Sequence, residues 1–203
     1  MVGFNRRFAP LSAALREAFE GAGPLAIHYR INAGAIPANH WIHDPAEGGG
    51  RIVGEVCHFL DLVQFLADAV VEEVFAYALG GAQGAHGDSV AVALRLSGGA
   101  VASVDYFATG DKTLPKERVE VFGGGILGIL DDFRALTVSR AGKQRQVRSR
   151  AQDKGFDKEM EAFVRAVREG GDWPVPLASM ERTTRATFAI LESLRTTQPV
   201  PLP

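Results

Sequence analysis

The sequence predicts an α+β domain: an open, mostly antiparallel β-sheet with helices packed on one face. Three observations carry this. Short segments of alternating hydrophobicity follow one another from residue 73 to residue 148, with hairpin-like turns between them and no helical pattern interleaved. Apolar residues recur at helical spacing before and after that stretch. The 203 residues, 46% of them hydrophobic, contain no internal repeat, low-complexity tract or extended linker, so one domain over residues 1–203 is the economical reading.

Element by element, Leu11 to Glu20 suits a short helix. Leu25, Ile27, Tyr29 and Ile31 share one face of a strand, with His28 and Arg30 on the other, polar face. The connection Asn32 to Gly50 is long and carries His40, Trp41, His43 and Asp44, which marks it as functional. From Glu47 to Leu66 a glycine run opens a helix. At 100° per residue Ile52, Val56, Phe59, Leu60, Val63 and Leu66 fall on one side, and Glu55, His58 and Asp61 on the other. Strands are expected at Glu73–Leu79, Ser89–Leu96, Val101–Phe107, Glu117–Phe122, Ile126–Leu130, Ala135–Ser139 and Gln144–Arg148. On the second of these, Val90, Val92, Leu94 and Leu96 oppose Ser89, Ala91, Ala93 and Arg95. Two helices close the chain, separated by Pro174 and Pro176. Their apolar residues, Phe156, Met160, Phe163 and Val167, then Met180, Phe188, Leu191 and Leu194, are expected in the core.

Composition excludes several classes. A net charge of -2 gives no basic footprint for nucleic acid or an anionic membrane. The run Arg140–Arg150 has no interleaved aromatics and reads as a solvated edge strand. The uncharged stretch Val74–Gly87 is too short and too rich in glycine for a bilayer span. With one cysteine, Cys57, no intrachain disulfide forms, and a reducing, cytoplasmic setting is the default. Gly123, Gly125 and Gly128 satisfy G-x-G-x-x-G after a strand, but the following residues read as more strand and Lys143 stands where a ribose-binding acid belongs. A hairpin turn is the better account. No nicotinamide cofactor is therefore expected on this chain alone.

The chemistry concentrates at Glu55, His58 and Asp61. A histidine with a carboxylate one turn to either side suits general acid/base catalysis. Metal binding by His28, His40, His43 and His58 with Asp44, Glu55 and Asp61 is the main rival, as in a metal-dependent sugar isomerase or hydrolase. His40-x-x-His43 lacks the rest of a zinc motif, and no metal site is assigned. A non-catalytic binding or assembly module is the third reading.

EGGGRIVGEVCHFLDLVQFL, Glu47 to Leu66, resembles the signature of the C-terminal domain of the glucose-fructose oxidoreductase, inositol dehydrogenase and MocA (GFO/IDH/MocA) family. So do VGFNRRFAPL (Val2–Leu11), NHWIHDP (Asn39–Pro45), DKGFDKEMEAF (Asp153–Phe163) and TRATFAILESLR (Thr184–Arg195). Where family members usually carry an Asp four residues before the histidine, this chain has Gly54, and Glu55 is the nearest acid. The resemblance implies a sugar or polyol oxidoreductase using NAD or NADP. His58 would be its base, Asp61 and Glu55 its helpers, and His40, Trp41, His43 and Arg51 its substrate contacts. It also implies a homodimer formed through the sheet and a Rossmann domain absent from this sequence, with residues 1–11 resembling that domain's end.

Overall fold

The computed structural model describes residues 1–37, 39–44, 47–80 and 88–203. A 3-10 turn, Asn5–Phe8, enters α1 (Pro10–Ala18). Pro10 sits in the first turn, where its fixed φ and missing N–H cost nothing. β1 (Ala26–Asn32) follows, then a short 3-10 turn at Trp41–His43. A π-helical segment, Ile52–Val56, runs straight into α2 (Cys57–Ala67). Next come β2 (Val71–Ala78), β3 (Val90–Leu96), β4 (Val101–Phe107), β5 (Glu117–Gly123), β6 (Ile126–Asp131), β7 (Ala135–Arg140) and β8 (Lys143–Arg148). The chain closes with α3 (Phe156–Glu169), α4 (Leu177–Thr196) and the two-residue β9 (Val200–Pro201).

Among the described residues nine strands form one sheet in the order β8-β7-β6-β5-β1-β4-β3-β2-β9. The expected open, mostly antiparallel α+β architecture is present. Two features go beyond simple hairpin succession. β1 inserts between β4 and β5, parallel to β4 and antiparallel to β5, and β9 extends the edge beside β2. Both are long-range pairings, which local alternation does not encode.

Helices cover one face. α1 lies against β6 and β7, α2 against β1 and β4, and α4 against β2 and β9. The predicted stripe of the signature helix, Ile52, Val56, Phe59, Leu60, Val63 and Leu66, is buried in this layer. Close approach of α1 depends on Gly128, where a Cβ would fall 2.4 Å from Leu15 Cδ1 and 2.8 Å from Phe19 Cε2. β3 shows the pleat directly: Val90, Val92, Leu94 and Leu96 are buried, while Ala91, Ala93 and Arg95 are exposed. Ser89 departs from its expected exposed side. It is buried, and its hydroxyl accepts from the Ala108 N–H at 2.9 Å.

The C-terminal helices correct the expected core. α4 turns small residues, Ala186, Thr187, Ala189 and Ser193, with Ile190, toward the sheet, and leaves Phe188 and Leu191 outside. Small side chains let its backbone approach β2, where Ser193 Oγ accepts from the Ala76 N–H at 3.0 Å. On α3, Phe156, Met160 and Val167 are exposed because that helix rests mainly on the 3-10 turn at Asn5–Phe8 and points its apolar stripe outward. β8 is exposed along its length, as expected of the basic edge strand. Part of the Val74–Gly87 stretch, residues 81–87, lies outside the described residues. Among the described residues no helix is long and apolar enough to cross a membrane.

Candidate active site on the glycine-led helix

The signature helix begins with an irregularity. Over Ile52–Val56 the hydrogen bonding is π-helical, a wider turn than α, and single π turns concentrate at functional sites. Glu55 lies inside this turn and His58 one residue past the start of regular α2.

His58 is partly buried, packed edge-on by the Phe4 ring with centroids 5.8 Å apart. Its Nδ1 is buried without a hydrogen-bond partner. Burial, and then the nearby Arg6 charge, push the imidazole pKa down to about 4, with Glu55 pulling the other way. His58 is therefore neutral at pH 7.

Neither flanking acid bonds to it. Glu55 accepts from the Tyr106 hydroxyl, from Lys116 Nζ and, at 3.2 Å, from Arg51. Burial works against its charge, yet Lys116 and Tyr106 outweigh it and hold the carboxylate below its usual range. Asp61 is fully buried, which corrects its placement on an outer face. The reason is the N-terminal segment, which lies over that side of α2 and brings the Arg7 guanidinium onto Asp61 in a two-pronged pair, Nε to Oδ2 at 2.9 Å. Burial pushes the Asp61 carboxyl up even so.

A second buried cluster lies close enough to act on His58 electrostatically. Glu117, at the start of β5, accepts from Arg6 at 2.8 and 3.0 Å, from Lys154 at 2.6 Å and from the Tyr29 hydroxyl. Burial opposes its charge, but Arg6 and Lys154 together hold the Glu117 pKa down at about 2.

The long connection contributes unevenly, and Ala38, Pro45 and Ala46 in it lie outside the described residues. Trp41 is 58% exposed and stands beside the His40 ring, 5.6 Å between centroids. His40 accepts from the Ile42 N–H at 3.3 Å. His43 Nδ1 is 3.6 Å from Asp88 Oδ2. None of the three makes a hydrogen bond, ion pair or ring contact with His58, Glu55 or Asp61. Arg51, expected at the substrate, is only 2% exposed. It donates to Gly34 O at 2.8 Å and to Glu55, and its guanidinium lies over the Tyr106 ring at 5.0 Å. Its role here is to tie the connection to the helix.

Arg7, Tyr106 and Lys116 were not singled out from the sequence. Tyr106 had an inward-facing position on an alternating strand, and Arg7 lay within a family-like segment. Nothing in the local pattern links position 55 to positions 106 and 116.

Gly124 and Gly125, with φ of 54° and 74°, close the β5–β6 hairpin, and the next residues are strand. This glycine pattern presents no helix N-terminus to a pyrophosphate and does not fit a dinucleotide. Among the described residues no three His, Cys, Asp or Glu side chains are grouped to hold a metal ion.

Comparison with known proteins agrees with this architecture. Residues 24–125 match the GFO/IDH/MocA C-terminal domain, and the chain belongs to that family. The fold is shared by an oxidoreductase domain protein from Kribbella flavida (21% identity, TM-score 0.85, 100% of this chain and 65% of that chain). It is shared too by an aldose-aldose oxidoreductase from Caulobacter crescentus complexed with glycerol (17%, 0.83, 100% and 63%). A third is a levoglucosan dehydrogenase in complex with NADH and levoglucosan (21%, 0.81, 100% and 66%). The chain thus spans about 65% of the length of such solved proteins. A search of curated proteins gives no match.

Proposed function

We propose that this chain is the substrate-binding and dimerisation half of a cytoplasmic, NAD(P)-dependent sugar or polyol oxidoreductase, with His58 as the general base. One observation carries the reading. On the family's glycine-led helix stands a histidine that burial keeps neutral above about pH 4, with a ring nitrogen lacking a partner. A neutral imidazole accepts a proton from a hydroxyl, as alcohol oxidation requires. NAD or NADP, held by a Rossmann domain outside these residues, supplies the hydride acceptor. This chain's part is to place the hydroxyl against His58 and take its proton. Membership in the family supports this, as do the levoglucosan and glycerol complexes among proteins of the same fold.

Within this reading the two acids are not relays. Glu55, fixed by Tyr106, Lys116 and Arg51, contributes its field at His58, and Asp61 anchors Arg7. His40, Trp41 and His43 line the substrate side from the long connection. The open sheet face, opposite the helices, is where a second copy would pack.

The test is made in the intact enzyme, with this domain joined to its nucleotide-binding domain. His58→Ala should lower kcat by about 10²- to 10⁴-fold, the range for a lost general base. Glu55→Gln should cost less, because the structure has no bond between Glu55 and His58. Full activity in His58→Ala would overturn the assignment; a Glu55→Gln loss as large as that of His58→Ala would restore Glu55 as a relay.

A further inference from the structure

α3 carries its apolar residues on the outside. Phe156, Met160, Val164 and Val167 recur at helical spacing and are all exposed, and Phe163 stacks on the half-exposed Trp173 with ring centroids 5.8 Å apart. Asp157, Glu161, Arg165 and Arg168 border this stripe. The surface continues across the start of the chain, since a Cβ on Gly3 would lie 3.8 and 4.0 Å from the two carboxylate oxygens of Glu159 on α3. Beyond Gly3, Met1 and Val2 share a shallow groove with Leu177 and Phe188 of α4, again all exposed.

Beside this surface stands a buried acid with nothing to bond. Glu159 is the one buried residue of α3, 5% exposed, and its Oε1 has no hydrogen-bond partner. Arg7 is committed to Asp61 and to Ser179, and Lys158 reaches Glu161 at 3.4 Å. Burial, and then the like charge of Asp61, push the Glu159 carboxyl above its usual range. A carboxyl taken out of water without a donor costs stability, so what this position lacks is a donor from outside the described residues.

We infer that this surface is the seat of the nucleotide-binding domain, and that Glu159 receives an N–H donor from it. The inference rests on the oxidoreductase reading proposed above and locates where its other half docks. Solved proteins of this fold match the chain over its whole length, while about a third of their own length has no counterpart here. A hydride acceptor must come within reach of the carbon whose hydroxyl meets His58. Phe4 packs on His58 and belongs, with Val175 and Met180, to a small apolar cluster separate from the main core. The N-terminal segment therefore links His58 to α3 on one side and to the α4 groove on the other. The open sheet face lies across the sheet from His58. An aromatic and methionine stripe with a charged rim is the make-up of a domain contact.

Hydroxyl-radical footprinting of the 203-residue chain and of the intact two-domain enzyme tests this. Phe156, Met160 and Trp173 should label strongly in the chain alone and lose most of that labelling in the intact enzyme. Unchanged labelling of these residues in an intact enzyme that binds NAD or NADP overturns the seat and leaves the oxidoreductase reading standing. An intact protein that binds neither dinucleotide overturns that reading, and the seat with it. The acid is tested separately by Glu159→Met, which keeps the length of the side chain and removes its polar atoms. The Tm of the chain alone should rise by about 2–4 °C, and in the intact enzyme Phe156 and Met160 should regain labelling. A fall in Tm of the chain alone would show that Glu159 already has its partner within this domain, and would overturn its role at the junction.

Discussion

His58 and His28 stand on opposite sides of one sheet and meet opposite surroundings. His58, in the helical layer, is desolvated and bonds to neither flanking acid, because Glu55 and Asp61 are held by Tyr106, Lys116, Arg51 and Arg7. His28, on the open face, lies between two carboxylates in contact with water. The contrast shows what decides a histidine's state here. An acid nearby in sequence does little if its oxygens are already taken. On the covered side Glu55, Asp61 and Glu117 are bonded to cations from distant parts of the chain, and these pairs belong to the construction of the fold. On the open side the polar groups are spread over a surface in contact with water.

The strongest way to break this comparison is to remove the carboxylate at the base of the covered side. Glu117→Ala leaves Arg6 buried without its partner and takes an acceptor from Lys154 and Tyr29. The expected loss is about 3–5 kcal/mol, the cost of breaking a buried pair from one side. Urea unfolding measures it. A loss below about 1 kcal/mol would mean that the cluster is solvated and is not a buried support.

Next is a pair of substitutions one residue apart. Leu94 points into the helical layer and is 3% exposed; Arg95 points to the open face, with ion pairs to Glu72 and Glu73 at 3.7 and 3.3 Å. Leu94→Ala should cost about 2–5 kcal/mol for lost burial and a cavity. Arg95→Ala should stay within about 1 kcal/mol, since its pairs are solvent-exposed. Thermal unfolding of both at a concentration that keeps the chain monomeric is the measurement. Equal effects would show that the faces are not distinct in the monomer.

Much of this contrast was legible in the sequence. Alternation in β3 and at residues 25–31 assigned faces correctly, because a pleat with one buried side writes its period into the sequence. The amphipathic stripe of α2 was readable for the same reason. Where the reading fell short, the cause was tertiary. Asp61 looked solvent-facing because periodicity cannot register Arg7, 54 residues away, closing over it. The exposed stripe of α3 looked like core because spacing reveals an apolar face and not what that face meets. The spacing of Glu55 and His58 on one helix is legible, but Tyr106 and Lys116, which take the Glu55 oxygens, come from segments with no local tie to the helix.

The last expected effect belongs to His58 itself. An unfolded-state histidine titrates near 6.5, whereas burial and Arg6 lower His58 to about 4 in the fold. Between those values the unfolded chain binds a proton that the folded chain does not, so protonation favours unfolding. The contribution of neutral His58 is complete above about pH 6.5 and is lost as pH falls toward 4, to a total of at most about 3 kcal/mol. His58→Gln, which does not titrate, should lack this slope. Urea unfolding of both proteins from pH 7 to pH 4.5 gives the difference directly, and the depressed Glu117 and the open-face His28 cancel because both chains carry them. Parallel stability curves for the two proteins would mean that His58 is solvated after all, and the contrast with His28 would then disappear.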